Sequence, residues 1–248
     1  MPAQFLRRLT GRERTVQANR QLGAVLAFVA GAINAGGFLA VQRYTSHMTG
    51  VVSAIADDLV LGQLLLAAAG LMSLIFFMGG AMTTAILTNW ARRRAMHSEY
   101  ALSLLLEALL LLLFGLVGAN LHFWTEFLLP STVLLLCFLM GLQNAVVTKI
   151  SRAEIRTTHM TGVITDLGIE LGRLLYWNRG GAGAHGLVRA DRPRLRLLAG
   201  ILGLFFAGGI VGALAFKHFG FSATVPVALL LIVMAARPLM DDISEHVR

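Results

Sequence analysis

Long stretches without a single charged side chain dominate this chain, and they decide what it can become. Six stand out: Gln21–Gln42, Leu64–Asn89, Ala108–Thr125 (continued upstream through Glu107 to Ala101), Phe127–Thr148, Leu197–Phe216 and Phe219–Ala236. A helix rises about 1.5 Å per residue, so about 20 apolar residues cross the ~30 Å hydrocarbon core of a bilayer. Each block meets that length, the last only just. Charged residues are 14% of the 248 against 56% apolar, too few to cover a water-soluble fold of this size. The unbroken apolar runs equally exclude a disordered chain. The expected fold class is all-α: a polytopic membrane helix bundle of six spanning helices.

Two further segments, Thr49–Gly62 and Thr161–Trp177, read as helices too short or too charged to count as spans. With six spans, 19 of the 21 Lys and Arg residues fall on one side, and only Arg43 and Lys217 on the other. Cationic loops stay in the cytoplasm, so both termini are expected there. The formal charge of +8 is therefore a signature of orientation, and no nucleic-acid partner is expected. All Trp and Tyr residues (Tyr44, Trp90, Tyr100, Trp124, Tyr176, Trp177) lie at expected membrane edges, where such rings prefer to sit. The first apolar block is too long for a signal-peptide core and reads as a retained helix.

Comparison of the chain with itself finds a repeat. Thr45-Ser-His-Met-Thr-Gly50 recurs as Thr157-Thr-His-Met-Thr-Gly162. Upstream, Gly31-Ala-Ile-Asn-Ala35 matches Gly141-Leu-Gln-Asn-Ala145; downstream, Phe76-Phe-Met-Gly-Gly80 matches Phe205-Phe-Ala-Gly-Gly209. Each unit is span, short helix, span, span. Three spans are an odd number, so the second unit enters from the opposite side, a 3+3 inverted repeat with short interrupted or re-entrant helices. The expected organisation is a basic cytoplasmic segment (1–20), a first repeat (21–127, short helix 49–62) and a second repeat (128–238, short helix 161–177). A Gly/Arg-rich cytoplasmic loop (178–196) lies within the second repeat, and a cytoplasmic tail (239–248) follows.

The Thr-Ser-His-Met-Thr-Gly block after Gly-x-x-Asn-Ala, with a Glu in a leucine-rich third span, resembles the YoaK-like family of bacterial membrane proteins, known as domain of unknown function 1275. The resemblance covers roughly Gln21 to Ala236. It implies a multi-spanning protein of the bacterial cytoplasmic membrane and brings no established substrate or reaction. Where family members often carry Asn after Met-Thr-Gly, this chain has Val51.

The repeated residues are the first candidates for chemistry. Thr45, Ser46, Thr49, Thr157, Thr158 and Thr161 suit helix N-caps, and Gly50 and Gly162 permit close backbone approach in the first turn. Helix starts in low dielectric attract anions. Were the two starts to meet near the midplane, His47 and His159 would add donors to one shared pocket, with Asn34 and Asn144 bracing or lining it. The bland reading is that the hydroxyls cap helices and the histidines sit at the headgroups. Acids inside a membrane are expensive and usually have a task. Glu107 is the best candidate for proton or cation coupling, its bland reading being a carboxylate that snorkels or bonds a neighbouring helix. Asp57, Asp58, Asp166 and Glu170 follow, and read more readily as polar faces near an interface. Arg173 is spaced to pair with Glu170.

His47-Met48 and His159-Met160 suggest soft-metal ligands, yet the methionines form no ladder and Cys137 is alone, so no metal and no cofactor is expected. No HExxH, GxSxG or P-loop pattern occurs, leaving an enzyme without support. The glycines Gly36, Gly37, Gly79, Gly80, Gly208, Gly209 and Gly212 read as close-packed helix faces, and as a surface for a homo-oligomer. Gly36-Gly37 is the one expected helix break. The sequence thus points to a secondary transporter of a small, more anionic than cationic solute, in contact with the lipid bilayer. An ion or solute channel, or a non-transporting scaffold or sensor, is the alternative.

Overall fold

The computed structural model describes residues 16–96, 98–120, 125–150, 159–178 and 187–246, and those residues are all-helical, without a strand. Eight α-helices follow in order: α1 (Val16–Val41), α2 (Met48–Val60), α3 (Leu64–Arg93), α4 (Ala101–Ala119), α5 (Thr125–Ile150), α6 (Met160–Leu175), α7 (Arg192–Phe219) and α8 (Thr224–His246), with a 3-10 turn at Gly220–Ala223. By length and composition, five segments suffice to cross a membrane, and the last, Arg192–Asp242, runs through both α7 and α8. This is the build of a multi-pass membrane protein.

The long helices outrun their apolar blocks because Arg and Lys stems lie along apolar surface while their heads reach water. So α3 continues through Arg92 and Arg93, and α7 begins at Arg192 with Asp191 as its N-cap, accepting from the Arg194 N–H at 3.0 Å. The α7–α8 boundary is moved by Gly220, whose φ of 58° stops α7 and delays α8 to Thr224. The expected break at Gly36-Gly37 does not occur. Phe216 covers Gly36, Leu136 packs on Gly37, and α1 runs straight past both to Val41. The chain turns instead at Gln42, with φ 54°.

Two helix pairs dominate the packing, α1 with α7 and α3 with α5. Both close by glycine. A Cβ at Gly31 would fall on the Phe205 carbonyl, and one at Gly141 on the Phe77 carbonyl. Reciprocally, Gly208 abuts the Phe28 carbonyl and Gly80 the Phe138 carbonyl. The first helix of each sequence repeat therefore packs on the third element of the other. These contacts pair Phe77 with Phe205 and Gly80 with Gly208, one position away from the sequence match of Phe76 with Phe205. Both segments read Phe-Phe-x-Gly-Gly, so identity favours the sequence match, and the glycine contacts favour the shifted register. Gly31, Gly141, Gly80, Gly208 and Gly212 all close contacts inside the one chain.

Between the pairs lies one apolar core, built from α1 (Leu22, Leu26, Val29, Ile33), α4 (Leu104, Ala108, Leu111, Phe114), α5 (Leu136, Leu139, Met140, Val146) and α8 (Ala228, Leu231, Ala235). The most apolar window of α3 is only 11% buried, against 56% for α1, so α3 is peripheral and shows its Leu, Ile and Met side chains outward. At one end of the bundle Arg92 pairs with Glu99 and donates to the Tyr100 hydroxyl, while Asp242 accepts from the Ser98 N–H at 2.9 Å. This end gathers the end of α3, the start of α4 and the end of α8. At the other, Phe221 and Thr224 pack on Gly118 and Gly115, joining the end of α4 to the start of α8.

Candidate functional site

The two Thr-x-His-Met-Thr-Gly motifs fold alike where both are described. His47 is the N-cap residue of α2 and His159 that of α6, and neither helix has a side-chain cap hydrogen bond. Each imidazole folds back over the glycine of the first turn: a Cβ at Gly50 would strike the His47 ring, and one at Gly162 the His159 ring. The glycine is there for the imidazole. Hydroxyl capping, expected from the sequence, is not what forms. Ser46 donates to Asn34 Oδ1 at 2.7 Å instead, tying the turn back onto α1. Thr45 is buried, whereas Thr49 and Thr161 lie inside the first helical turn and are exposed. Thr157 and Thr158 lie outside the described residues. Asn34 therefore braces the first motif; Asn144 is half-buried on α5, and its carbonyl accepts from Thr148.

His159 faces a polar cavity of about 600 Å³, lined also by Arg20, Gly162, Asp166, Asp191 and Arg194, with Val163, Leu197 and Leu198 as its apolar part. The starts of α1, α6 and α7 meet there. Its carboxylates are engaged within the wall: Asp166 pairs with Arg194 at 2.9 Å, and Asp191 caps α7. Glu170, one turn beyond Asp166, is buried; it pairs with Arg173 at 2.7 Å and accepts from the Asp191 N–H at 2.8 Å. It anchors α6 to the start of α7. The formal charges of the lining balance, Arg20 and Arg194 against Asp166 and Asp191, and the start of α6 adds the positive end of a helix dipole.

No residue of the first motif lines this cavity. Arg20, at the near end of α1, borders it, whereas Ser46 is tied to Asn34, fourteen residues further along the same helix. At helical rise that is about 20 Å. Leu22, Leu26, Val29 and Ala30 pack the interval. The expectation of one pocket shared by His47 and His159 is corrected accordingly: α1 runs unbroken, and its length holds the two motifs apart. Asp57 is exposed and Asp58 partly so, on a helix with no buried residue.

A second polar feature lies within the bundle. Glu107 is completely buried, and neither carboxyl oxygen has a hydrogen-bond partner. Ser103, one turn earlier on the same face of α4, and Gln143, on the core face of α5, are also fully buried with side-chain polar atoms unpartnered. Sequence reasoning marked Glu107 but passed over Ser103 and Gln143. The signal for Gln143 was present, since it is an amide standing opposite Ile33 in the repeat. Arg20, Asp191 and Arg194 were missed because only folding brings them to His159.

No curated protein and no solved structure matches the chain. A family model described as "Protein of unknown function (DUF1275)" matches residues 22–236, nearly the whole length over which the helices and both motifs run. The chain belongs to the DUF1275 family.

Proposed function

We propose that this protein is a secondary transporter of a small anionic solute, with six spans arranged as a 3+3 inverted repeat. The observation that carries the reading is Glu107, a carboxyl set without a partner in the core of a membrane bundle. A group so expensive there is best explained by a task, here coupling to a proton or cation. The reciprocal glycine contacts of α1/α7 and α3/α5 support a duplicated module. The end-to-end contacts of the long helices support alternate crossings, with α7 and α8 as separate spans. The His159 cavity, into which the α6 start opens, is the solute's entry on the cytoplasmic side. His47 holds the corresponding place at the opposite face. The two motifs thus act as gates at either end, and the halves rock between them.

Reconstitution into liposomes tests this. Uptake of inorganic phosphate, sulfate or small carboxylates is expected under an imposed proton or sodium gradient, reduced tenfold or more in Glu107→Gln and several-fold in His159→Ala. Flux indifferent to any gradient supports a channel. An absence of flux across the panel, with the protein folded, leaves a scaffold or sensor.

A further inference from the structure

The neighbours of Glu107 identify what it binds. Arg92, near the end of α3, donates to Tyr100 at the start of α4 at 2.8 Å, and it lies within electrostatic reach of Lys149 near the end of α5. From that common level Glu107 is seven residues into α4 and Gln143 six residues into α5, about 10 Å and 9 Å. The two helices pack directly on each other, both residues are fully buried, and their helix neighbours Leu104, Ala108, Met140 and Leu142 belong to one core cluster. The other helices of that cluster contribute apolar side chains to it, Met234 and Ala235 on α8 and Leu26 and Val29 on α1. Thr84 and Thr88 on α3 are committed, donating to the Leu142 and Thr84 carbonyls. Among the described residues facing this level no cation stands against Glu107, so its company is two neutral polar groups, Gln143 and Ser103.

The chemistry of those groups is selective. A carboxylic acid offers one donor and one acceptor side by side, and a primary amide offers the complementary pair. We propose that Glu107 and Gln143 form one proton-binding unit within the membrane. In the structure both groups stand unpartnered; in the loaded form side-chain rotation brings them together, the Glu107 O–H donating to Gln143 Oε1 and Gln143 Nε2–H donating to the Glu107 carbonyl oxygen. When the proton leaves to water, the carboxylate keeps the Nε2–H bond and gains the Ser103 hydroxyl as donor. Gln143 is thus a positioning residue, matched to both protonation states. Packing does not explain it, because Ile33 fills the repeat-equivalent place on α1 and is equally buried.

This unit deepens the coupling role proposed for Glu107, and infrared difference spectroscopy on the full chain in lipid nanodiscs tests it without any solute. Stepping the pH is expected to reveal a protonated-carboxyl carbonyl band that is lost in Glu107→Gln. In Gln143→Leu the band persists at higher frequency, that of a carbonyl relieved of a hydrogen bond; Gln143→Asn restores part of the shift. Gln143→Leu is expected to fold, since it places an aliphatic where Ile33 already succeeds, and Ser103→Ala supplies an independent variant that alters only the deprotonated form. A band unmoved in Gln143→Leu overturns the proposal, as does a site that responds to sodium and not to pH. Should the band behave as expected while no solute moves, the transport reading fails and the proton unit stands. Proton-coupled flux with an unmoved band has the opposite meaning.

Discussion

Replacing Gly31 with alanine tests the interlocked packing most directly. The added methyl falls on the Phe205 carbonyl and close to the Gly209 N–H, both backbone atoms that cannot rotate away. The pair α1/α7 must part by about 1 Å to restore contact distance, and a gap of that size forfeits a quarter to a half of the dispersion attraction of the facing atoms. A loss of about 1–3 kcal/mol is expected, the usual cost of overpacking. Gly141→Ala, against the Phe77 carbonyl, is expected to lose the same amount, and the two losses to add, because each burdens a different helix pair. Gly203 on α7 has nothing within 4 Å of a built Cβ, so Gly203→Ala is neutral or stabilising by up to about 1 kcal/mol. Unfolding in mixed detergent micelles, followed by circular dichroism, measures all four variants. If Gly31→Ala unfolds no earlier than Gly203→Ala, the carbonyl-on-glycine contact is not what closes the bundle.

The remaining expectations are more local. Asn34→Leu and Ser46→Ala each lose the 2.7 Å bond at the first motif, at about 1 kcal/mol, and the double variant loses little more than either alone; a double-mutant cycle in the same unfolding assay checks the coupling. Glu170→Ala removes the acceptor of the Asp191 N–H and the partner of Arg173, costing about 1–3 kcal/mol locally. Faster hydrogen exchange confined to α6 and the start of α7 is the expected result, and uniform exchange would speak against an anchoring role. Gly162→Val pushes the His159 ring off the first turn of α6 and is expected to weaken phosphate protection of the cavity against Arg-directed labelling, whereas Gly168→Val, in open space, does not. In a Cys137→Ala background, Arg94→Cys and Lys217→Cys should react with impermeant maleimide from opposite faces; reaction from the same face would remove the alternate-crossing topology.

Much of the fold is legible because hydrocarbon imposes a simple rule, and apolar length alone locates α1, α3, α4 and α5 to within a few residues. What it leaves open is decided by contacts between distant segments. The pair Gly36-Gly37 looks like a hinge until Phe216 and Leu136 are seen packed on it. Hydroxyls at a helix start look like caps until Asn34 claims Ser46. The His159 cavity is assembled from residues as far apart as Arg20 and Arg194, so no local pattern announces it. Glu107 is different, because a lone carboxyl among leucines is visible in any reading.

The sequence repeat drew attention first to the two His-Met-Thr-Gly motifs, which the structure holds apart along α1. What recurs in both halves is what both halves need: glycines where helices touch, an Asn on the first span, an imidazole folded on a glycine. A task carried out once in the assembled bundle needs a group present once. At the matched positions of the first spans, Ile33 and Gln143 occupy equivalent buried sites, and only the second is polar. That amide, at the depth of the buried Glu107 carboxyl, breaks the symmetry where hydrocarbon penalises it most. On the proposed reading the repeated motifs gate the two ends, and the place where the halves differ, at Gln143, holds the proton.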